Sequence, residues 1–115
     1  MWDIATRLRF DDWYWTLSDQ ERASIQASLI VLADKGAQLG RPHADTLYDS
    51  KHKNMKELRV QSGGKPLRVF FAFDPERTGI ILCGGDKTGD KRFYKKMIPI
   101  ADAEFDEHLE ELKNG

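Results

Sequence analysis

In the stretch Glu57-Leu58-Arg59-Val60-Gln61-Ser62-Gly63-Gly64-Lys65-Pro66-Leu67-Arg68-Val69-Phe70-Phe71-Ala72-Phe73, apolar residues alternate with others on both sides of a glycine pair. Leu58 and Val60 form one series; Leu67, Val69, Phe71 and Phe73 form the next. Two runs of period two around a Gly-rich break predict a β-hairpin. If Ser62 to Lys65 is the turn, Gln61 faces Pro66, Val60 faces Leu67 and Leu58 faces Val69, with the last two pairs pointing into a core. On the other face Arg59 then sits directly across from Arg68. Opposed like charges destabilise a sheet, and 19 Asp and Glu residues were to hand for that position. Two opposed arginines make sense on a face that binds an anion, because guanidinium matches phosphate in bidentate fashion. The competing reading pairs Arg59 with Glu57 or a distant carboxylate and leaves Arg68 solvated. A single bulge would separate the two arginines.

Outward from the hairpin, Trp2, Ile4, Thr6, Leu8 and Phe10 alternate with other residues and predict a first strand, followed by a short helical turn within Asp11 to Leu17. Ser18-Asp19-Gln20-Glu21 matches a capping box. Ile25, Leu29 and Leu32 then recur at helical spacing, and Gly36 stops that helix. Ala44 to Leu47 reads as one more helical turn. After the hairpin, Asp74-Pro75-Glu76-Arg77-Thr78-Gly79 is a turn, and Ile80-Ile81-Leu82-Cys83 is a strand ending at Gly84-Gly85. A last helix carries Ala101, Phe105, Leu109 and Leu112 on one face, with Pro99 expected in an irregular or first-turn position. The order β-α-α-β-β-β-α predicts one α+β domain over residues 1–115, with helices packed on a mostly antiparallel sheet.

The chain has 115 residues and a formal net charge of −1, which by itself speaks against a nucleic-acid partner. Resolved by segment, the charge is not even. Residues 1–50 hold 5 basic and 8 acidic side chains, residues 51–96 hold 12 and 5, and residues 97–115 hold 1 and 6. The middle of the chain is therefore strongly basic. No apolar run is long enough for a membrane helix, no signal peptide is visible, and the single Cys83 excludes an internal disulfide. A reducing cytoplasm is the expected compartment.

The cations of the middle segment gather around aromatics. Lys53 and Lys56 lead into the hairpin with Lys51, and Lys87 follows the last strand. Lys91, Arg92, Lys95 and Lys96 surround Phe93 and Tyr94. Cations for phosphates and rings for bases suit single-stranded RNA. Gly84-Gly85-Asp86-Lys87-Thr88 lacks the spacing of a phosphate loop. His43, His52 and His108 fit no metal-ligand spacing, Cys83 reads as an inert core thiol, and the acidic C-terminal helix reads as a solvated face. No cofactor is expected.

Three stretches carry a family likeness: Gly40-Arg41-Pro42 to Leu47, Lys51-His52-Lys53-Asn54-Met55-Lys56-Glu57-Leu58-Arg59, and Leu67-Arg68-Val69-Phe70-Phe71-Ala72-Phe73-Asp74. Gly84-Gly85-Asp86-Lys87, Phe93-Tyr94 and Met97-Ile98-Pro99 complete it. Over roughly residues 2–113 the chain resembles the HigB-like, phage-derived branch of the RelE/ParE toxin superfamily. The resemblance implies a RelE-like fold, with the N-terminal helices on one sheet face and the active site on the other. It implies a type II toxin that cleaves mRNA in the ribosome without a metal. The implied partner is a cognate antitoxin of helix-turn-helix type, through which the complex binds operator DNA. Arg59 and Arg68 would then hold the scissile phosphate. Lys87 would stabilise charge or exchange a proton, and Tyr94 would stack on a base or move a proton, with Phe93 as a competitor for that position. Lys53, Lys56, Lys91, Arg92 and Lys95 would bind flanking RNA. No general base is evident. The alternatives are a ParE-like toxin that inhibits a protein such as DNA gyrase, and an inactive RNA-binding relative.

Overall fold

The computed structural model describes residues 1–115. Its elements run β1 (Ile4–Thr6), α1 (Leu8–Tyr14), α2 (Asp19–Lys35), β2 (Ala44–Thr46), β3 (Lys56–Ser62), β4 (Lys65–Phe73), β5 (Gly79–Asp86) and α3 (Phe93–Asn114), with a 3-10 turn at Gly36–Gln38. One sheet of order β1-β5-β4-β3-β2 is antiparallel except at β1–β5. The α+β class expected from the sequence is the one observed. No helix is long and apolar enough to cross a membrane.

The hairpin takes the register its turn dictates, with Val60 opposite Leu67, Leu58 opposite Val69 and Arg59 opposite Arg68. Gly63 and Gly64 hold φ of 56° and 80°, the two positive values that a two-residue type I′ turn needs. The capping box of α2 closes in both directions: Glu21 N donates to Ser18 Oγ at 3.1 Å, and Ser18 N donates to Glu21 Oε1 at 2.9 Å. Ile25 and Leu32 of that helix are fully buried.

The sheet is covered on both faces. Helices α1 and α2 pack Phe10, Ile25 and Leu32 against Leu58, Val60, Leu67, Val69 and Phe71. Helix α3 packs Phe93, Ile98, Ala101 and Phe105 against Phe70, Ala72, Ile80 and Leu82. Each fully buried Val, Leu, Ile or Phe among them contributes about 1.5–3 kcal/mol. A bulge shifts the β4–β5 register between Phe70 and Phe71, from Phe70↔Cys83 to Phe71↔Ile81. Leu82 is the extra residue, so both Leu82 and Cys83 turn toward α3.

Several local expectations are corrected. The alternation from Trp2 is extended only over Ile4–Thr6. Phe10, Trp13 and Tyr14 lie at helical spacing, and Leu8–Tyr14 forms a helix that buries Phe10. Ala44–Thr46 is an edge strand rather than a helical turn, because β3 offers it a partner: Ala44 pairs with Leu58 and Asp45 with Glu57. Pro99 lies inside α3, on its exposed side, where the helix forgoes one ladder bond. Strand β5 continues through Gly84 and Gly85 to Asp86. The acidic face of α3 is not simply solvated: Glu104 and Glu111 accept from Arg7 at 3.1 and 2.9 Å, and Glu104 also accepts from Arg9 at 3.0 Å.

The two mid-strand glycines admit an aromatic ring on each face. A Cβ on Gly84 would lie 2.2 Å from Cζ3 of Trp13, and one on Gly85 would lie 2.9 Å from Cε1 of Phe93. Gly84→Ala is therefore expected to destabilise the fold by about 1–3 kcal/mol through overpacking against Trp13. Chemical denaturation should show a lower midpoint at unchanged m-value, and an unchanged midpoint would contradict the contact.

Candidate functional site

On the sheet face away from α1 and α2, strand alternation sets Asp45, Glu57, Arg59 and Arg68 side by side, since Asp45 pairs with Glu57 and Arg59 with Arg68. Glu57 lies between the arginines with 3% of its side chain exposed. Arg59 Nε donates to its Oε2 at 3.2 Å, and the Tyr94 hydroxyl donates to its Oε1 at 2.8 Å. Asp45 Oδ2 accepts from Arg59 Nη2 at 3.1 Å and from Arg41 Nη2 at 2.8 Å. A buried carboxylate paired this way makes the opposed arginines tenable.

Arg59 thus meets Glu57, as the competing reading of the sequence had it, together with a second carboxylate, Asp45. Arg68 is not solvated. Its side chain is 13% exposed, and Nη1 donates to the Leu67 carbonyl at 3.1 Å. Its Nε is buried with no hydrogen-bond partner and stands 3.6 Å from Glu57 Oε1, beyond hydrogen-bond reach. An unmet buried donor costs about 1–3 kcal/mol, and such a group calls for an explanation such as a ligand.

The N-terminal turn of α3 completes the cluster. Gly85 lets the Phe93 ring settle on the sheet, 5.9 Å from the Phe70 ring centre. Phe93 is core, and its neighbour Tyr94 faces Glu57. Lys87, just past β5, places Nζ 5.2 Å from the Tyr94 ring centre and has no carboxylate within ion-pair distance. Burial pushes the Tyr94 phenol above its ordinary range, and its bond to the Glu57 carboxylate adds to this, while Arg68 pulls the other way. Arg41 holds the Asp45 carboxyl below the usual carboxylate range by its hydrogen bond.

Arg59, Arg68, Lys87 and Tyr94 are thus brought together. The flanking cations are not all beside them. Lys56 is directed to the α2 side and donates to the Ala37 carbonyl at 3.1 Å. Lys53 is exposed in the β2–β3 loop. Lys91, Arg92 and Lys95 are exposed around the start of α3 and form no ion pairs. Sequence reasoning passed over Glu57 as a site residue, although its place two residues before Arg59 on an alternating strand puts both on one face. It had no signal for Asp45, because Ala44–Thr46 did not read as a strand.

Elsewhere, His52 Nε2 lies 2.8 Å from Asp106 Oδ1, and His108 Nε2 lies 2.8 Å from Asp74 Oδ2. Burial pushes the Cys83 thiol up to about 12, which keeps it protonated and unreactive. No group of three His, Cys, Asp or Glu side chains is disposed to hold a metal ion.

The sequence pattern of the family described as phage derived protein Gp49-like matches residues 12–106. The chain belongs to this Gp49-like family. It is 46% identical over 91 residues to HigB3 of Mycobacterium tuberculosis, a protein named as a toxin, covering 78% of each chain. It is 40% identical over 108 residues to HigB2 of the same organism, also named as a toxin, covering 92% of this chain and 54% of that one. The Gp49-like chain thus spans about half the length of that second relative. Its fold is similar to that of a mutant Escherichia coli RelE toxin in the free state. That match has a TM-score of 0.60 at 10% identity and covers 80% of this chain and 90% of that one. The likeness shows a RelE-type fold, and the sequence relatives place the chain among the HigB toxins.

The Tyr94–Glu57 bond has a titration consequence. Tyr94 should ionise above the ordinary phenol value near 10. Its raised value belongs to the folded state, so its contribution to stability is complete below pH 10 and is lost as pH rises through the folded value. Glu57→Gln should bring Tyr94 down toward the ordinary value. Ultraviolet phenolate titration checks this, with Tyr94→Phe assigning the signal.

Proposed function

We propose that this chain is the toxin of a type II toxin–antitoxin pair and cleaves mRNA as an endoribonuclease. The observation that carries the reading is the buried Arg68 Nε, 3.6 Å from Glu57 and without a hydrogen bond, beside the hydrogen-bonded Glu57–Tyr94 pair. A cation that can hold a phosphate beside a group that can take up a proton is what phosphodiester transfer requires. The HigB relatives and the RelE-type fold support it.

In this reading the scissile phosphate sits on Arg68, with Arg59 beside it. Arginine stays protonated and cannot act as base. Glu57 is too enclosed to meet the substrate directly, so Tyr94 connects it to the ribose. The 2′-hydroxyl gives its proton to the Tyr94 oxygen as the Tyr94 proton passes to Glu57 Oε1. Because a free Tyr94 phenolate is disfavoured, the two transfers occur together. The 2′-oxygen bonds to phosphorus and the bond to the 5′-oxygen breaks. Arg68 stabilises the added charge, and Lys87 supplies a proton to the leaving oxygen. The products are a 2′,3′-cyclic phosphate and a 5′-hydroxyl end. The ribosome is the expected setting, a cognate antitoxin of helix-turn-helix type the expected neutralising partner, and operator DNA the expected target of that complex.

Controlled expression with and without the neighbouring gene, followed by mapping of mRNA 5′ ends, tests the reading. New 5′ ends should appear without the partner and vanish with it. Arg68→Ala should abolish them while circular dichroism stays that of the parent. Glu57→Gln should slow cleavage about 100-fold or more, the size of a general-base contribution. Growth arrest with intact mRNA would instead favour a ParE-like protein target.

A further inference from the structure

We infer that the half of β5 left uncovered by β1 is the docking site of an extended segment of the cognate antitoxin, one in which basic residues are interspersed with apolar ones. This rests on the toxin–antitoxin part of the reading above and does not depend on the cleavage chemistry.

Strand β1 pairs with β5 only from Ile4↔Gly79 to Thr6↔Ile81. The last bond between them runs from Arg7 N to the Ile81 carbonyl at 2.9 Å, after which the chain turns away into α1. Strand β5 runs on to Asp86, with β4 on one side and no strand on the other. Beyond it, Lys87 N donates to the Pro66 carbonyl at 3.0 Å. Bonding residues alternate along an antiparallel ladder. Cys83 and Gly85 therefore bond to β4 as well, and Gly84 and Asp86 turn their N–H and C=O groups to the open side. No helix or loop of the chain bonds to any of these four groups. The other edges offer less. Strand β1 is held at Trp2, whose N–H donates to the Ala33 carbonyl of α2 at 2.8 Å, and β2 is three residues long.

A groove of about 770 Å³ lies at this open edge, with Cys83 and Gly84 among its lining residues. Leu8 and Trp13 of α1 line one wall, and Met97 and Ile100 of α3 line the other. Leu8 is 73% exposed. A strand laid along Gly84 to Asp86 would send alternate side chains toward α1 and toward α3, so both walls meet apolar residues of the same segment.

The charged lining sets the sign of the partner. Arg7 and Arg9 stand against Asp12, Glu104, Glu107 and Glu111. Arg7 is spread over three carboxylates, Glu104, Glu107 and Glu111, at 3.1, 3.3 and 2.9 Å, and Arg9 reaches Glu104 at 3.0 Å. Asp12 is exposed, and the Glu107 side chain is 65% exposed. The two guanidinium groups leave the groove acidic. Open backbone groups take up an added strand, and the walls select its side chains. A segment bound here would reach Lys87, the residue after Asp86, and obstruct the reacting centre.

Amide hydrogen exchange, read residue by residue on the toxin alone and on its complex with the protein of the neighbouring gene, tests the docking site. The Gly84 and Asp86 amides should exchange freely in the toxin alone and slow about 100-fold or more in the complex, while those of Cys83 and Gly85 should be slow in both. Asp12→Lys combined with Glu107→Lys should weaken antitoxin binding about 10-fold, chiefly through the on-rate, and leave growth arrest without the antitoxin as in the parent. Gly84 and Asp86 amides that stay fast in a complex that neutralises the toxin overturn the docking site and leave the toxin–antitoxin pairing intact. Protection that appears along β2 or α2 instead puts the antitoxin on another face and overturns it as well. An affinity unchanged by the charge reversal overturns the basic character of the segment. If the neighbouring protein neither binds nor neutralises the chain, the pairing falls and the docking site with it.

Discussion

Two arginines face each other across β3 and β4, and a buried carboxylate makes that arrangement possible. The β-pleat allows Arg59 and Arg68 to share a face only if the charge between them is compensated. Glu57 compensates it from the same strand, two residues away. The compensation is unequal. Arg59 bonds to both Glu57 and Asp45, while Arg68 Nε stands 3.6 Å from Glu57 without a hydrogen bond. That inequality gives the face a direction, with a doubly hydrogen-bonded arginine on one side and a buried Nε without a hydrogen bond on the other.

The rest of the fold serves to hold Tyr94 against Glu57. Strand β5 carries glycines where Trp13 of α1 and Phe93 of α3 press against it from opposite faces. Phe93 anchors the first turn of α3, and Tyr94 is carried with it. The acidic remainder of α3 reaches out to three other parts of the chain. Glu104 and Glu111 hold Arg7 at the β1–α1 junction. Asp102 and Asp106 hold the loop of Ser50 to His52. His108 holds Asp74 at the β4–β5 turn. Much of this pairing is surface electrostatics of small individual worth, but together it fixes one helix relative to three segments. The charge segregation in the sequence thus has a geometric meaning: the acidic C-terminus clamps the helix whose N-terminal turn brings Tyr94 to Glu57.

Some features followed from local rules and others did not. The α2 cap, the hairpin and its register, and the opposition of Arg59 and Arg68 were readable, because each depends on spacing within a few residues. The β2 strand was not, since three residues of Ala44–Thr46 become a strand only when β3 lies beside them. The end of the first strand was misplaced because the alternation from Trp2 to Phe10 overlaps the helical spacing of Phe10, Trp13 and Tyr14. The site showed the same division. Arg59, Arg68, Lys87 and Tyr94 stood out by type and position, whereas Lys56 belongs to the opposite face by strand parity.

By itself the sequence determined the class of fold, the hairpin register and the opposition of two arginines on one sheet face. Periodicity and turn chemistry act over a few residues and need no distant partner. Only the tertiary structure decided which carboxylate answers which arginine, because Glu57, Asp45 and Tyr94 come from three elements that meet only when the sheet is built and α3 is laid on it. Whether a buried charge is met or left waiting depends on distances of a few tenths of an ångström between those elements.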